Sequence, residues 1–132
     1  MRRDRPAFLV VMGLAAVFVG LGVVFLVAPS FGAGIFGVPA PEGEARVYLP
    51  VIGLRDLAFG LYLAALAILA SRRTVGIVLA ITVLIPVGDM ILLAQTRGLA
   101  PQLALHALSG LAVGGVAAWL LAARNDTRRD IA

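Results

Sequence analysis

Of the chain's 132 residues, 61% are hydrophobic and 14% charged, and the mean hydropathy is +1.04; no soluble domain of this size can hide so much apolar surface, so lipid is its solvent. The formal charge of +4 comes from eleven arginines and no lysine, placed at the ends of apolar runs rather than as a stripe on one face, which argues against a nucleic-acid partner. The absence of cysteine excludes disulfides and thiolate chemistry, while one histidine among scattered carboxylates predicts no metal centre and no cofactor.

A short basic head, Met1 to Pro6, precedes Phe8 to Ala28, 21 residues without a charge. A secretory signal has an apolar core of about 7–15 residues. Here Pro29 also follows directly on the small-residue cleavage point at Ala28, so the run reads as a retained first helix over 8–28. Gly13, Ala16 and Gly20 fall on one face of it, suited to close approach by a neighbour.

Residues 29–46 form the longest connection, and their proline and glycine density predicts no regular helix through it. Phe31, Ile35, Phe36 and Val38 are too apolar for a solvated loop. The segment is expected at the membrane interface or folded over the bundle mouth, an interfacial anchor being favoured over a lid. The second helix is predicted over 47–70, ending at the basic turn Ser71-Arg72-Arg73-Thr74. A third follows over 75–95, broken near Pro86-Val87-Gly88-Asp89, and a fourth over 101–123 with Pro101 in its first turn. A polar tail covers 124–130. The expected fold is all-α: a single four-helix transmembrane bundle over 1–132 with an interfacial glycine- and proline-rich loop between helices one and two.

Four spans put both termini on one side. That side holds Arg2, Arg3, Arg5, Arg72, Arg73, Arg124, Arg128 and Arg129, the other only Arg46 and Arg97 beside Glu42 and Glu44. Basic residues in short loops stay cytoplasmic. The expected location is therefore the inner or plasma membrane, multi-pass, with both termini cytoplasmic.

The second helix carries Arg55 and Asp56 side by side within Gly53-Leu54-Arg55-Asp56-Leu57-Ala58-Phe59-Gly60, in a run otherwise free of charge. An ionised side chain at the centre of a membrane helix costs roughly 2.5–3.5 kcal/mol on insertion scales, so both need partners or water. Arg55 and Asp56 lie about 12 Å below the outer start of their helix, Asp89 about 9 Å from the outer end of the third, and His106 about 8 Å into the fourth. Three helices thus carry their unusual polar residues at one depth, in the outer half of the bilayer. Asp56 shares a stripe with Gly53, Gly60, Ala64 and Ala67, a face expected to meet other helices. Arg55 shares one with Tyr48, Phe59 and Tyr62, whose rings line a pocket or stack on the guanidinium. His106 aligns with Gln102, Ser109, Gly110 and Val113, and Tyr48, Tyr62, Gln95 and Trp119 suit an interfacial belt.

The segments Gly53 to Gly60, Pro86-Val87-Gly88-Asp89-Met90 and His106-Ala107-Leu108-Ser109-Gly110, in this order along nearly the whole chain, resemble a family of small four-helix bacterial and fungal membrane proteins classed only as a domain of unknown function. The resemblance implies the four-span architecture and the grouping of Arg55, Asp56, Asp89 and His106; it supplies no substrate. The architecture is also loosely similar to small membrane isomerases and cyclases of sterol and meroterpenoid chemistry, which set acidic groups and histidine inside a helix bundle.

The functional expectation is a membrane-embedded acid–base enzyme of isomerase or cyclase type, or a binding protein, for a small lipophilic molecule. Asp89 and His106 form the proton-transfer pair; Arg55, Asp56, Tyr48, Phe59 and Tyr62 bind and position the substrate. A proton-coupled or solute transporter acting as a homo-oligomer is the alternative. The third reading is a structural or accessory subunit, in which Arg55 pairs with Asp56 or Asp89 and His106 with the remaining carboxylate.

Overall fold

A computed structural model describes residues 4–122. The arginines at 2, 3, 124, 128 and 129 and the tail 124–130, on which part of the topology count rests, lie outside the described residues. The described residues are mostly helical, with no strand among them, and four segments are long and apolar enough to cross a membrane: Arg5–Val27, Gly43–Leu69, Arg72–Arg97 and Gln102–Ala122. The first, at 23 residues, spans about 35 Å, against a hydrocarbon core of about 30 Å.

Helix α1, Arg5–Val27, starts where Asp4 caps it: the carboxylate accepts from the Ala7 amide at 3.3 Å, and Pro6 occupies the first turn. It ends at Ala28. The connection beyond is more ordered than expected, because Pro29–Phe36 forms a two-turn helix, α2. Pro29 at its start lacks only an N–H that a first turn leaves unpaired anyway. Gly32 packs against the Phe25 ring, where a side chain would collide. Gly37 stops the helix in the left-handed conformation, φ 101°. A short 3₁₀ turn, Gly43–Val47, then leads into α3, Tyr48–Leu69.

Ser71 caps α4, Arg72–Thr82, by accepting from the Thr74 amide at 3.1 Å. The third span breaks at Val83, and α5, Leu84–Arg97, continues it. Pro86 explains the position: it has no N–H for the Thr82 carbonyl and crowds it, so the defect falls four residues upstream. The Thr82 hydroxyl donates back to the Val78 carbonyl at 2.8 Å, a bond that also favours bending. Gly98, at φ 68°, turns the chain into α6, Gln102–Ala122.

α1 packs chiefly on α3, and α6 on α4 and α5, giving two antiparallel pairs. The α1–α3 crossing depends on missing side chains. A Cβ on Gly53 would stand 2.8 Å from the Gly22 carbonyl oxygen, and one on Gly22 2.6 Å from the Leu57 amide nitrogen. Gly53, Gly60 and Ala67 thus form the buried face of α3, as their stripe predicts. On α1 the expectation is overturned: Gly13, Ala16 and Gly20 are exposed, and the buried face is Ala7, Val11, Ala15, Gly22 and Phe25. Small size marks several faces of so glycine-rich a helix, and only the partner's own glycines select one.

The two pairs are joined at the end nearest residues 4 and 122 by a close-packed apolar cluster of Val11, Ala15, Leu63, Ala67, Val75, Leu79, Val113 and Leu120. A smaller cluster, Phe25, Ala33 and Leu49 with Phe36 and Ile52 against it, closes the opposite end under α2. On α3, Asp56 falls between Ile52 of the second cluster and Leu63 of the first.

Candidate functional site

The layer between the two apolar clusters holds Asp56, Asp89 and His106, all half-buried. His106 sits one turn into α6 and is held from two sides. Its Nε2 lies 3.0 Å from the Phe36 carbonyl oxygen, and the two rings meet edge-on with centroids 4.8 Å apart. Its Nδ1 lies 3.6 Å from Asp89 Oδ2 across the α5–α6 contact. A carbonyl only accepts, so Nε2 must carry a hydrogen and donate it. The Phe36 carbonyl also closes the C-terminal end of α2, where the helix dipole favours a donor or a cation. Gly37 continues the contact: a Cβ there would lie 2.8 Å from Gln102 Cβ, so α2 reaches from α1 across to the start of α6. A carbonyl partner leaves no trace in a sequence, which is why the role of Phe36 was not foreseen.

With Nε2 fixed as a donor, the Asp89–His106 contact accommodates one mobile proton. It is either on Nδ1, giving an imidazolium–carboxylate pair, or on Asp89 beside a neutral ring. At 3.6 Å the contact is longer than a hydrogen bond, and it is an ion pair only when the ring is protonated. Asp56 stands on α3, half-buried, one helical turn beyond Ile52.

Arg55 stands apart. It is exposed on the outward side of α3 and, among the described residues, makes no hydrogen bond or ion pair. The pairing of Arg55 with Asp56 or Asp89, required by the accessory-subunit reading, does not occur. Tyr48 and Tyr62, each 66% exposed, share that outward side. Phe59 does not: its ring meets Phe18 of α1 edge-on at 4.7 Å. The residues expected to bind substrate are therefore divided between an inner group, Asp56, an outer group, Arg55, Tyr48 and Tyr62, and a packing residue, Phe59.

Above the polar layer lies an apolar recess of about 170 Å³, lined by Phe25, Ala33, Phe36, Val38, Pro39, Pro41, Leu49 and Ile52. Two of its walls lead to the titratable groups. Phe36 touches His106 through ring and carbonyl, and Ile52 is one helical turn before Asp56 on α3.

A second polar assembly holds the opposite end. Arg72 pairs with Asp4, donates from Nε to the Leu120 carbonyl at 3.2 Å and from a terminal nitrogen to the Trp119 carbonyl at 3.0 Å, and lies 4.6 Å from the centre of the Trp119 ring. One guanidinium thus ties the start of α1, the start of α4 and the end of α6, where unpaired carbonyls favour a cation. Asp4 one residue ahead of Arg5-Pro6 was the available signal, a helix-start pattern. Among the described residues there is no group of three or more His, Cys, Asp or Glu able to hold a metal.

Fold and site together define a small multi-pass membrane protein with a titratable layer in its bundle. The chain matches, over residues 15–120, the family described as a domain of unknown function, DUF4267, and belongs to it. No curated protein and no solved structure matches the chain.

Proposed function

We propose that the protein binds a small lipophilic molecule in the recess beneath α2 and acts on it by acid–base chemistry, in the manner of a membrane isomerase or cyclase. The observation that carries this reading is the continuity of the recess with the one-proton pair: Phe36 lines the recess and holds His106, which faces Asp89. An apolar body in the recess would present its polar end to Asp89, His106 and Asp56. Proton transfer needs a donor and an acceptor in a poorly hydrated site; whichever of Nδ1 and the Asp89 carboxylate carries a proton can give it to the substrate, and the other can take one from it. The transport reading finds less support, because Leu63, Leu79, Val11 and Val75 seal the other half of the bundle.

The test uses extracted protein with its co-purifying lipids, identified by mass spectrometry. A lipophilic compound should be retained, and lost when Val38→Trp fills the recess from its exposed rim. A compound retained equally by Val38→Trp, or none in either protein, sinks the reading.

A further inference from the structure

Arg55 is a cation on the lipid-facing side of a membrane helix, without an anionic partner among the described residues. Such a group is costly unless an anion or water reaches it. From Leu69 at the far end of α3 to Arg55 is fourteen residues, or about 21 Å of helix; in a hydrocarbon core of about 30 Å this leaves Arg55 about 9 Å below the other surface. An arginine side chain spans most of that distance by snorkelling. Seven-residue steps advance two helical turns less about 20°, so Tyr48, Arg55 and Tyr62 form one line on the exposed face, two phenols flanking the guanidinium.

We propose that this line is a binding site for the phosphate of an anionic phospholipid in the leaflet at the α2 end. The guanidinium offers paired donors matched to phosphate oxygens. The Tyr48 hydroxyl adds a donor nearer the headgroups, and the Tyr62 ring contacts the acyl chain below. A second copy of the chain is the poorer occupant. Copies inserted in the same direction carry Arg55 at the same depth, so a two-fold contact on this face would oppose two guanidinium groups. The carboxylate at the same level, Asp56, is half-buried rather than exposed beside Arg55. The site is separate from the recess and does not depend on the proton-transfer reading.

Native mass spectrometry of the detergent-extracted full chain, titrated with phosphatidylglycerol and with phosphatidylcholine, tests it. Losing one charge-assisted contact should lower phosphatidylglycerol retention about tenfold in Arg55→Gln. Retention should survive in Arg55→Lys and in Arg73→Gln, a basic residue at the opposite end. Because Arg55 is exposed and makes no hydrogen bond or ion pair among the described residues, Arg55→Gln should remain folded; if it does not, Tyr48→Phe with Tyr62→Leu should weaken retention by a smaller factor. Equal retention by Arg55→Gln, a loss in Arg73→Gln instead, displacement by inorganic phosphate alone, or a dimer that disperses on Arg55→Gln would each overturn the proposal.

Discussion

At the residue scale the informative constraint is the Phe36 carbonyl, because it fixes which nitrogen of His106 carries hydrogen and so limits what Asp89 can do. Asp89→Asn removes the exchangeable proton but keeps a side-chain amide that can donate to a neutral Nδ1. The Nε2 bond to Phe36 is undisturbed. We expect Asp89→Asn to fold with unchanged or raised melting temperature in detergent, since carboxylates kept for chemistry are often held at a cost to stability, and, on the proposed function, to lose the acid–base activity. His106→Ala is different. It leaves the Phe36 carbonyl without its donor and removes the ring contact, so it should destabilise by roughly 1–3 kcal/mol and speed hydrogen exchange in residues 29–38. If Asp89→Asn instead costs about 3–5 kcal/mol, as a broken structural pair does, and the double mutant is strongly non-additive, the pair is scaffolding.

At the element scale, the spans were legible because length and apolarity decide them, and the Asp56 face because glycine and alanine recur there at helical spacing. The third span's break was legible from Pro86, although the defect falls at Val83 through the geometry of the missing bond. What could not be read is which face of α1 turns inward, since Gly13, Ala16 and Gly20 look equivalent to Ala15 and Gly22 until α3 supplies Gly53 and Gly60. The helix at Pro29–Phe36 was hidden by glycines whose cost to a helix, about 1 kcal/mol each relative to alanine, is offset here by packing on Phe25. Arg55 likewise shares a sequence stripe with Phe59, yet only the latter reaches α1. The crossing gives a clear test. Gly53→Ala would press a methyl onto the backbone of α1, so it should cost more than the about 1–3 kcal/mol of ordinary overpacking. Gly13→Ala, in open space, should be neutral or slightly stabilising by helix propensity. Melting curves of the two variants should therefore diverge; equal melting would mean that the helices do not approach as closely as Gly22 and Gly53 allow.

At the scale of the whole molecule, the Arg72 assembly and the arginine count address the same question. Contacts from Arg72 to Asp4 and to the Leu120 carbonyl require the start of α1 and the end of α6 to share one end of the bundle, so the number of crossings is even whichever way the bundle lies in the membrane. Charge predicts its direction. Arg5, Arg72 and Arg73 lie at that end, with Arg2, Arg3, Arg124, Arg128 and Arg129 close by in sequence, against Arg46 and Arg97 at the other. Retention of basic loops on the cytoplasmic side would then face the α2 end, the recess and Arg55 toward the outer leaflet. The absence of cysteine allows single-cysteine labelling without background. Leu99, 98% exposed in the turn between α5 and α6, sits at the predicted outer end; Arg73 is exposed at the other. Leu99→Cys should react with a membrane-impermeant maleimide in intact cells, and Arg73→Cys only after the membrane is opened. Reversed labelling would invert the bundle and bring the recess to the inner leaflet. Labelling of both from outside would break the four-crossing arrangement itself, since the third span alone separates the two positions.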